Sequence, residues 1–456
     1  MKGKLLVSLI LLVLIISPIA FADGGMWVHN IDTWNLYDQK SQLAAIDYKD
    51  GFQNMLIQIN LDDQVHGDKA VWIFPVPAPP EKVAVNIIKS YPIFQGENMK
   101  NKLESTTSGM ASIYSIYSTF PLSMVFFPFL LLGLSSSGVT NASTRFTNYY
   151  NALYSTEGVT VHEVIQKMGV TSELITAKDA TSLENYLKSK ELILPQDSKD
   201  ILNEYIGKDY SFVVSYIDDL EKFKQSSGSN PSYYGGNRVN VISVSLKFPT
   251  DRIFYPLRLT SVYGSTSIPM EINFAGYVSP DLYSEITSGS SISYYQGYEY
   301  GEGYKYYTKL KLDAPSKYFT KDLWISNFMP VNVLLAYFVI NFSWLWGIIL
   351  YALLSCVASL AAGMFVFGKD VPDARKRFLL LGLTNFLTLI GFSVATWMMK
   401  TKQVDLDPII KSELKKKGLD ATAKNETGRK FIFVICFIVI FLCLTLFSMA
   451  ILNALL

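Results

Sequence analysis

Residues 71–80, VWIFPVPAPP, begin as a buried strand and then place four prolines within six positions. A central strand cannot carry that run, because each proline lacks the backbone donor that a two-sided ladder uses. Val71, Trp72, Ile73 and Phe74 therefore read as strand. Pro75, Pro77, Pro79 and Pro80 read as the chain leaving its sheet, along an edge or in an extended polyproline-like exit. The other use of such a run, a docking peptide, needs exposure, which Val-Trp-Ile-Phe opposes.

Outward from this stretch, apolar and polar positions alternate in 45–50, 55–61, 239–247, 252–259 and 270–277, the period-two signal of half-buried strands. Helical spacing enters at 180–206, where Leu183, Leu187, Ile201, Leu202 and Tyr205 share a face. Start signals there are Thr181-Ser182-Leu-Glu184 and Asp197-Ser198, and Pro195 splits the stretch into a pair of helices. The expected fold class is α+β: a mainly antiparallel β domain with a helical pair.

The chain opens MKGK, continues through an apolar run at 5–16 and Pro18, and reaches Ala20-Phe21-Ala22, the pattern of a secretory signal with a small-residue cleavage site. Residues 1–22 are expected to be a signal peptide and 23–322 an exported domain. All three cysteines, Cys356, Cys436 and Cys443, lie in apolar runs near the C-terminus. The exported part thus has no disulfide framework, cysteine metal site or thiol nucleophile. The formal charge of +1 gives no electrostatic footprint for nucleic acid.

Residues 323–456 read as a bundle of three or four transmembrane helices, with spans near 344–367, 378–399 and 431–452. An extra span at 323–340 follows if the first run turns back near Asn341-Phe-Ser343. A large outside domain puts the basic segment 369–377 in the cytoplasm after one span, as the positive-inside rule prefers. Three spans then leave 400–430, with nine basic residues, outside, so the rule opposes itself. Within that loop Asp407, Pro408, the Lys415-Lys416-Lys417 run and Gly418 outline a short basic helix, suited to anionic headgroups or to solvent. The spans hold no Asp, Glu, Lys, Arg or His, which disfavours a proton or ion relay. Ser355, Ala358, Ser359, Ala362 and Gly363 mark a close helix–helix contact, within one chain or between two.

Two motifs, Phe74-Pro-Val-Pro77 and Tyr255-Pro-Leu-Arg-Leu259, head a succession that resembles an uncharacterised family of exported bacterial and archaeal proteins, a domain of unknown function. The resemblance covers about residues 23 to 280 with a gap. It implies export and continuity of fold, without an activity. Members often resemble Ala-Cys-Gly-Gly at the mature start. Here the residues are Ala22-Asp-Gly-Gly25, so anchoring falls to the C-terminal spans. The gap, 100–150, reads as an apolar insertion. Its stretch 113–134 is long enough for a span, but one crossing would separate strands of a single domain. An apolar loop that packs on the domain, dips into the bilayer surface or meets a partner through Phe126, Phe127 and Phe129 is expected instead.

Chemistry-bearing motifs are sparse. Val161-His-Glu-Val-Ile165 has half of a metalloprotease pair, and His162 reads as an ordinary strand residue. Asp62, Asp63, His66 and Asp68 crowd a turn whose spacing suits a hairpin better than a calcium loop. No nucleophile elbow, phosphate-cradling loop or dinucleotide fingerprint occurs, so no catalytic, cofactor-binding or metal residues are assigned. The tyrosine-rich run 293–307 is expected to form a hairpin turned at Gly301-Glu302-Gly303, with Tyr298 and Tyr300 on one arm and Tyr304 and Tyr306 on the other. Such rings stack on sugars or partner side chains, or form a cross-strand ladder. Asn141-Ala-Ser143 is a glycosylation-type sequon.

These features lead to a cell-membrane, multi-pass protein with its large N-terminal domain outside, in contact with the lipid bilayer. Its expected work is interaction or envelope organisation with a protein or glycan partner at the surface. The alternatives are a membrane-anchored envelope enzyme, built on carboxylates that only folding brings together, and an accessory subunit of a membrane assembly.

Overall fold

The computed structural model describes residues 25–30, 33–36, 42–59, 69–89, 91–92, 94–119, 154–156, 158–190, 196–227, 232–234, 237–239, 242–267, 269–297, 305–368, 371, 373–399, 412 and 421–456. The chain divides into a sheet unit, drawn from 1–98 and 140–330, and a helical unit, drawn from 99–139 and 331–456. In chain order the helices named among the described residues are α1 (Met99–Thr119), α2 (Ala180–Ser189), α3 (Gln196–Asn203), α4 (Leu220–Ser227), α5 (Ser284–Thr287), α6 (Val331–Asn341), α7 (Ser343–Val366), α8 (Ala374–Leu383), α9 (Thr388–Met398) and α10 (Ala421–Asn453).

The sheet unit is α+β and mainly antiparallel. Seven strands lie in the order Thr33–Leu36, Gly25–Asn30, Lys69–Val76, Ser211–Ile217, Val170–Ala177, Val159–Lys167 and Tyr154–Thr156. Eight more run Ala84–Ile88, Ile242–Pro249, Phe52–Ile59, Gln42–Lys49, Met270–Ala275, Tyr306–Leu312, Ser290–Gln296 and Glu97–Asn98. Only the pairing of Met270–Ala275 with Gln42–Lys49 is parallel among these described strands.

Both faces of Lys69–Val76 are covered, as its near-continuous apolar sequence requires. Val71 and Ile73 pack with Leu183 and Leu187 of α2 and Leu202 of α3. Trp72, Phe74 and Val76 pack with Met55, Val85, Phe248 and Phe274 of the eight-stranded sheet. The seven-stranded sheet is therefore the middle layer of helix, sheet and sheet, and each large buried ring contributes about 2 to 3 kcal/mol by removal from water.

The proline run carries the chain between the two sheets. Gly25 pairs with Ile73 and marks the described end of one neighbouring strand, while Ser211–Ile217 stays paired as far as Val76. Pro75 thus falls where a single described neighbour remains, and the strand extends two residues beyond Phe74. Ser211 Oγ then donates to the Ala78 carbonyl at 2.8 Å, and a 3-10 turn at Pro80–Lys82 delivers the chain to the edge strand Ala84–Ile88. Two details differ from expectation. Strand in 252–259 is limited to Ile253–Tyr255, followed by a 3-10 turn at Arg258–Tyr263, and the cap of α2 is Asp179, which accepts from Ser182 N at 2.7 Å.

Two helices of the second unit, α7 and residues Glu426–Asn453 of α10, are long and apolar enough to cross a membrane. The 323–340 run is not one element: Leu323–Ile325 is a strand paired with Ile253–Tyr255, and α6 begins only at Val331. Nor does the chain reverse near Asn341. Phe342 N donates to Phe338 O at 2.9 Å and Trp346 N to Phe342 O at 3.1 Å, so the helical ladder passes through a bend.

The 378–399 run is interrupted as well. A 3-10 turn at Thr384–Leu387 separates α8 from α9, and the two arms lie side by side. Phe378 of α8 stacks near Phe367, 6.1 Å away, and lies 5.7 Å from Phe433, while Phe392 of α9 lies 5.5 Å from that same Phe433. Arg429 donates to Val366 O at 2.9 Å, and Lys430 donates to Trp397 O at 3.1 Å. The C-termini of α7 and α9 thus converge on one end of α10, near Arg429. At the other end Asn332 donates to Leu455 O at 3.0 Å, and Thr107 of α1 donates to Asn453 Oδ1 at 2.6 Å.

The insertion is a difference of substance. Where the apolar stretch 113–134 of the 100–150 insertion was expected to be a loop, its described part, 113–119, is the end of the helix α1, which belongs to the helical unit. Its Leu103, Thr107, Met110 and Tyr114 are buried at three- and four-residue spacing, which explains the docking.

Candidate functional site

Of the expected contact residues, Phe126, Phe127, Phe129, Asn141, Tyr298, Tyr300 and Tyr304 lie outside the described residues, as do Asp62, Asp63, His66 and Asp68. Tyr306 is described, and the hairpin that carries it is present: Ser290–Gln296 pairs with Tyr306–Leu312, Gln296 opposite Tyr306. Alternation sorts the tyrosines between two faces. On one, Tyr277 lies 5.6 Å from Tyr306 and 6.1 Å from Tyr294. On the other, Tyr295 and Tyr307 stack at 4.7 Å, with Phe94 edge-on to Tyr307 at 5.3 Å. Lys309 Nζ stands 5.6 Å over the Tyr295 ring and pairs with Glu271 at 2.9 Å. The arrangement is a ladder whose half-buried members, Tyr294, Tyr295 and Tyr306, keep part of each ring in solvent.

Three acidic groups of the sheet unit are bound into the fold. Glu173 is buried and accepts from Tyr186 at 2.7 Å, Lys190 at 2.6 Å and Tyr216 at 3.1 Å. The Lys190 ammonium also stands over the Tyr186 and Tyr216 rings, so the charge of Glu173 is answered on several sides. Asp322 accepts from Tyr205 through both oxygens, at 3.0 and 2.9 Å, and from Arg258 N at 2.9 Å. Burial pushes its carboxyl up to about 6, against the lowering pull of those two donors. The Arg258 guanidinium turns the other way, to Glu204 at 2.6 and 3.2 Å and Ser261 at 2.8 Å. The motif Tyr255-Pro-Leu-Arg-Leu259 is therefore a corner that fastens Ile253–Tyr255, α3 and the approach to Leu323–Ile325.

Glu163 is the third. Burial raises its carboxyl to about 7 although it accepts from Val85 N, and its Oε2 has no partner among the described residues. His162, its neighbour on Val159–Lys167, meets Thr176 Oγ1 at 2.9 Å, and burial lowers its ring below the usual imidazole range. No group of three His, Cys, Asp or Glu that could hold a metal ion occurs among the described residues.

The helical unit holds a polar centre that hydropathy did not signal. Asn385, fully buried in the 3-10 turn between α8 and α9, donates to Tyr351 Oη at 2.7 Å and Ser355 Oγ at 3.1 Å of α7. Tyr351 donates to the Asn385 carbonyl at 3.3 Å, and Thr384 Oγ1 donates to Leu381 O at 2.6 Å. The groups exposed by the helix break are thus answered by side chains. Tyr114 of α1 lies edge-on to Tyr351 at 5.2 Å and donates to Gly347 O at 2.5 Å. Asn385 Oδ1 and Ser359 Oγ have no partner among the described residues. The available signal was the polar pair Thr384-Asn385 inside an apolar run. The small residues of α7 serve contact within this chain: Gly363 faces the Phe378 ring, and a Cβ on Gly382 of α8 would stand 2.6 Å from Cys356 Cα.

No family model matches the chain, and no curated protein matches it. Among solved structures it is similar to baculovirus P35. A mutated P35 after caspase cleavage aligns at 9% identity over 63% of this chain and 99% of that one, with a TM-score of 0.23. Another P35 crystal structure aligns at 11% identity over 62% and 90%, with a TM-score of 0.21. Likenesses of this size carry no argument about fold or work.

Proposed function

We propose that the chain is a multi-pass membrane protein that displays its sheet unit at the cell surface, where it acts by contact as an interaction or envelope-organising module. One observation carries the membrane part, the inverted distribution of side chains in the helical unit. Leu353, Phe365, Leu380, Met398, Phe431 and Leu446 are exposed, while Thr107, Ser355, Asn385, Thr396 and Thr445 are buried. Water penalises such a surface and hydrocarbon does not.

The outside placement of the sheet unit rests on the signal-peptide pattern of 1–22 and on the resemblance carried by Phe74-Pro-Val-Pro77 and Tyr255-Pro-Leu-Arg-Leu259. The contact surface in this reading is the tyrosine hairpin, from Tyr294 and Tyr306 toward Tyr298, Tyr300 and Tyr304. Its rings fit the apolar faces of a glycan or of protein side chains. Phe126, Phe127 and Phe129 supply a second apolar contact, and Asn141 a site for glycan attachment.

Alkaline carbonate extraction combined with proteolysis of intact cells tests the reading. The protein should stay in the membrane pellet, and external protease should remove the sheet unit. Release into the carbonate supernatant contradicts the membrane part, and a protected sheet unit contradicts display.

A further inference from the structure

We propose that α8, the Thr384–Leu387 turn and α9 form a re-entrant hairpin that enters and leaves the bilayer at one face, and that this face is the cytoplasmic one, set against anionic headgroups. The inference rests on the membrane reading above. Among the described residues of 331–456, α7, continued from α6, and α10 then cross.

The geometry comes from four contacts. Phe378 and Phe392 both lie against Phe433, at 5.7 and 5.5 Å, whereas a straight helix would hold them about 21 Å apart. Lys430 ties Trp397 O, and Arg429 ties Val366 O, so α7 and α9 finish at one level of α10. The depth of the turn follows from Tyr351, which bonds Asn385 and lies 5.4 Å from Phe441. Phe441 stands midway along the apolar run 431–452. Each arm, α8 with 10 residues and α9 with 11, is about 15 to 16 Å long, half of a hydrocarbon core about 30 Å thick.

Non-helical backbone at that depth is tolerated only when it is enclosed by protein or lines a watered cavity. Here Tyr351, Ser355 and Thr384 enclose it, and Gly363 and Gly382 let the descending arm approach α7 closely.

This topology removes the conflict over charge. With a straight third span, the basic segments 369–377 and 400–430 fall on opposite sides of the membrane. With a re-entrant hairpin both emerge at the Arg429 end, as the positive-inside rule favours. Arg375, Lys376 and Arg377 are exposed at the start of α8, and Arg429 and Lys430 cap helix carbonyls at the same level. Such a cluster suits the anionic inner leaflet. Within the helical unit, α1 and α6 both run from the opposite, Asn453 end of α10.

Single cysteines introduced at Gln225, Lys376, Ser412 and Leu456, in a chain whose three native cysteines are replaced by serine, test the arrangement with a membrane-impermeant maleimide. Q225C and L456C should react on intact cells, and K376C and S412C only after permeabilisation. Reaction of S412C on intact cells, with K376C protected, would mean that residues 374–398 cross once and would overturn the hairpin. Reaction of K376C on intact cells overturns the cytoplasmic assignment. Carbonate extraction of the same variants separates these outcomes from failure of the membrane reading, because a peripheral protein would leave the pellet whatever its labelling pattern.

Discussion

Phe378 and Phe392 meet at one ring, their centroids 5.7 and 5.5 Å from that of Phe433, although an apolar run of spanning length contains both. The chain therefore reverses between them, and the reversal sits where Asn385 reaches Tyr351 and Ser355. The behaviour of that polar contact is the first expectation.

Replacing Asn385 with leucine removes the donor that holds the turn and leaves the Tyr351 and Ser355 hydroxyls short of a partner in a buried place. The loss should be about 1 to 3 kcal/mol, read as a lower unfolding midpoint in mild detergent. Y351F should cost less alone, and the double variant less than the sum, because the two side chains share one bond. Strict additivity contradicts the contact.

Gly382 admits almost nothing larger. A methyl group there meets backbone atoms, Cys356 Cα and Ser355 O, each at 2.6 Å. G382A should lower the melting temperature by the equivalent of about 1 to 3 kcal/mol. A Cβ at Gly428 meets nothing within 4 Å in the interior of α10, so G428A should hold the midpoint or raise it by the equivalent of up to about 1 kcal/mol through helix propensity. Equal behaviour of the two variants would show that α7 and α8 are not this close.

In the sheet unit, Lys190 answers the buried Glu173 at 2.6 Å. K190M leaves that carboxylate to two hydroxyls and should destabilise by about 3 kcal/mol. The paired change K190M with E173Q should recover most of the loss, since it removes the charge as well as its partner. Failure to recover would assign the loss to packing of the lysine stem.

Asp322 provides a pH signature. Its carboxyl moves from 3.8 to about 6 on folding, chiefly through burial, so the folded chain holds the proton more tightly than the unfolded one. Stability from this group is complete below about pH 4 and is lost as pH rises through 6. Asparagine has no proton to lose. D322N should therefore gain on the wild type between pH 4 and pH 7 in thermal melts, and a constant gap across that range contradicts the shift.

Much of the sheet unit is legible in the sequence. Period-two alternation marks the strands around Met55, Leu246 and Ile272, and the prolines after Phe74 mark an exit from a sheet, because both are local consequences of backbone geometry. The corner at Arg258 is different. Its partners Glu204, Tyr205 and Asp322 are distant in sequence, so the motif is visible and its purpose is not. Hydropathy locates the apolar run 378–399 but carries no direction, since a straight span and two half-length arms have the same composition. Thr384-Asn385 was the one local sign. α1 was hidden for another reason: Lys100, Lys102 and Glu104 interrupt its hydropathy, and only the spacing of Leu103, Met110 and Tyr114 tells of a helix with one packed face.

The central claim is most directly tested by one distance, measured by pulsed electron paramagnetic resonance between spin labels on K376C and M398C, with the native cysteines replaced. Both positions are exposed. A hairpin brings the outer ends of α8 and α9 together, so the distance should be below about 20 Å, the spacing of neighbouring helices plus the label arms. A distance near 33 Å, the length of an uninterrupted helix between these positions, would contradict it.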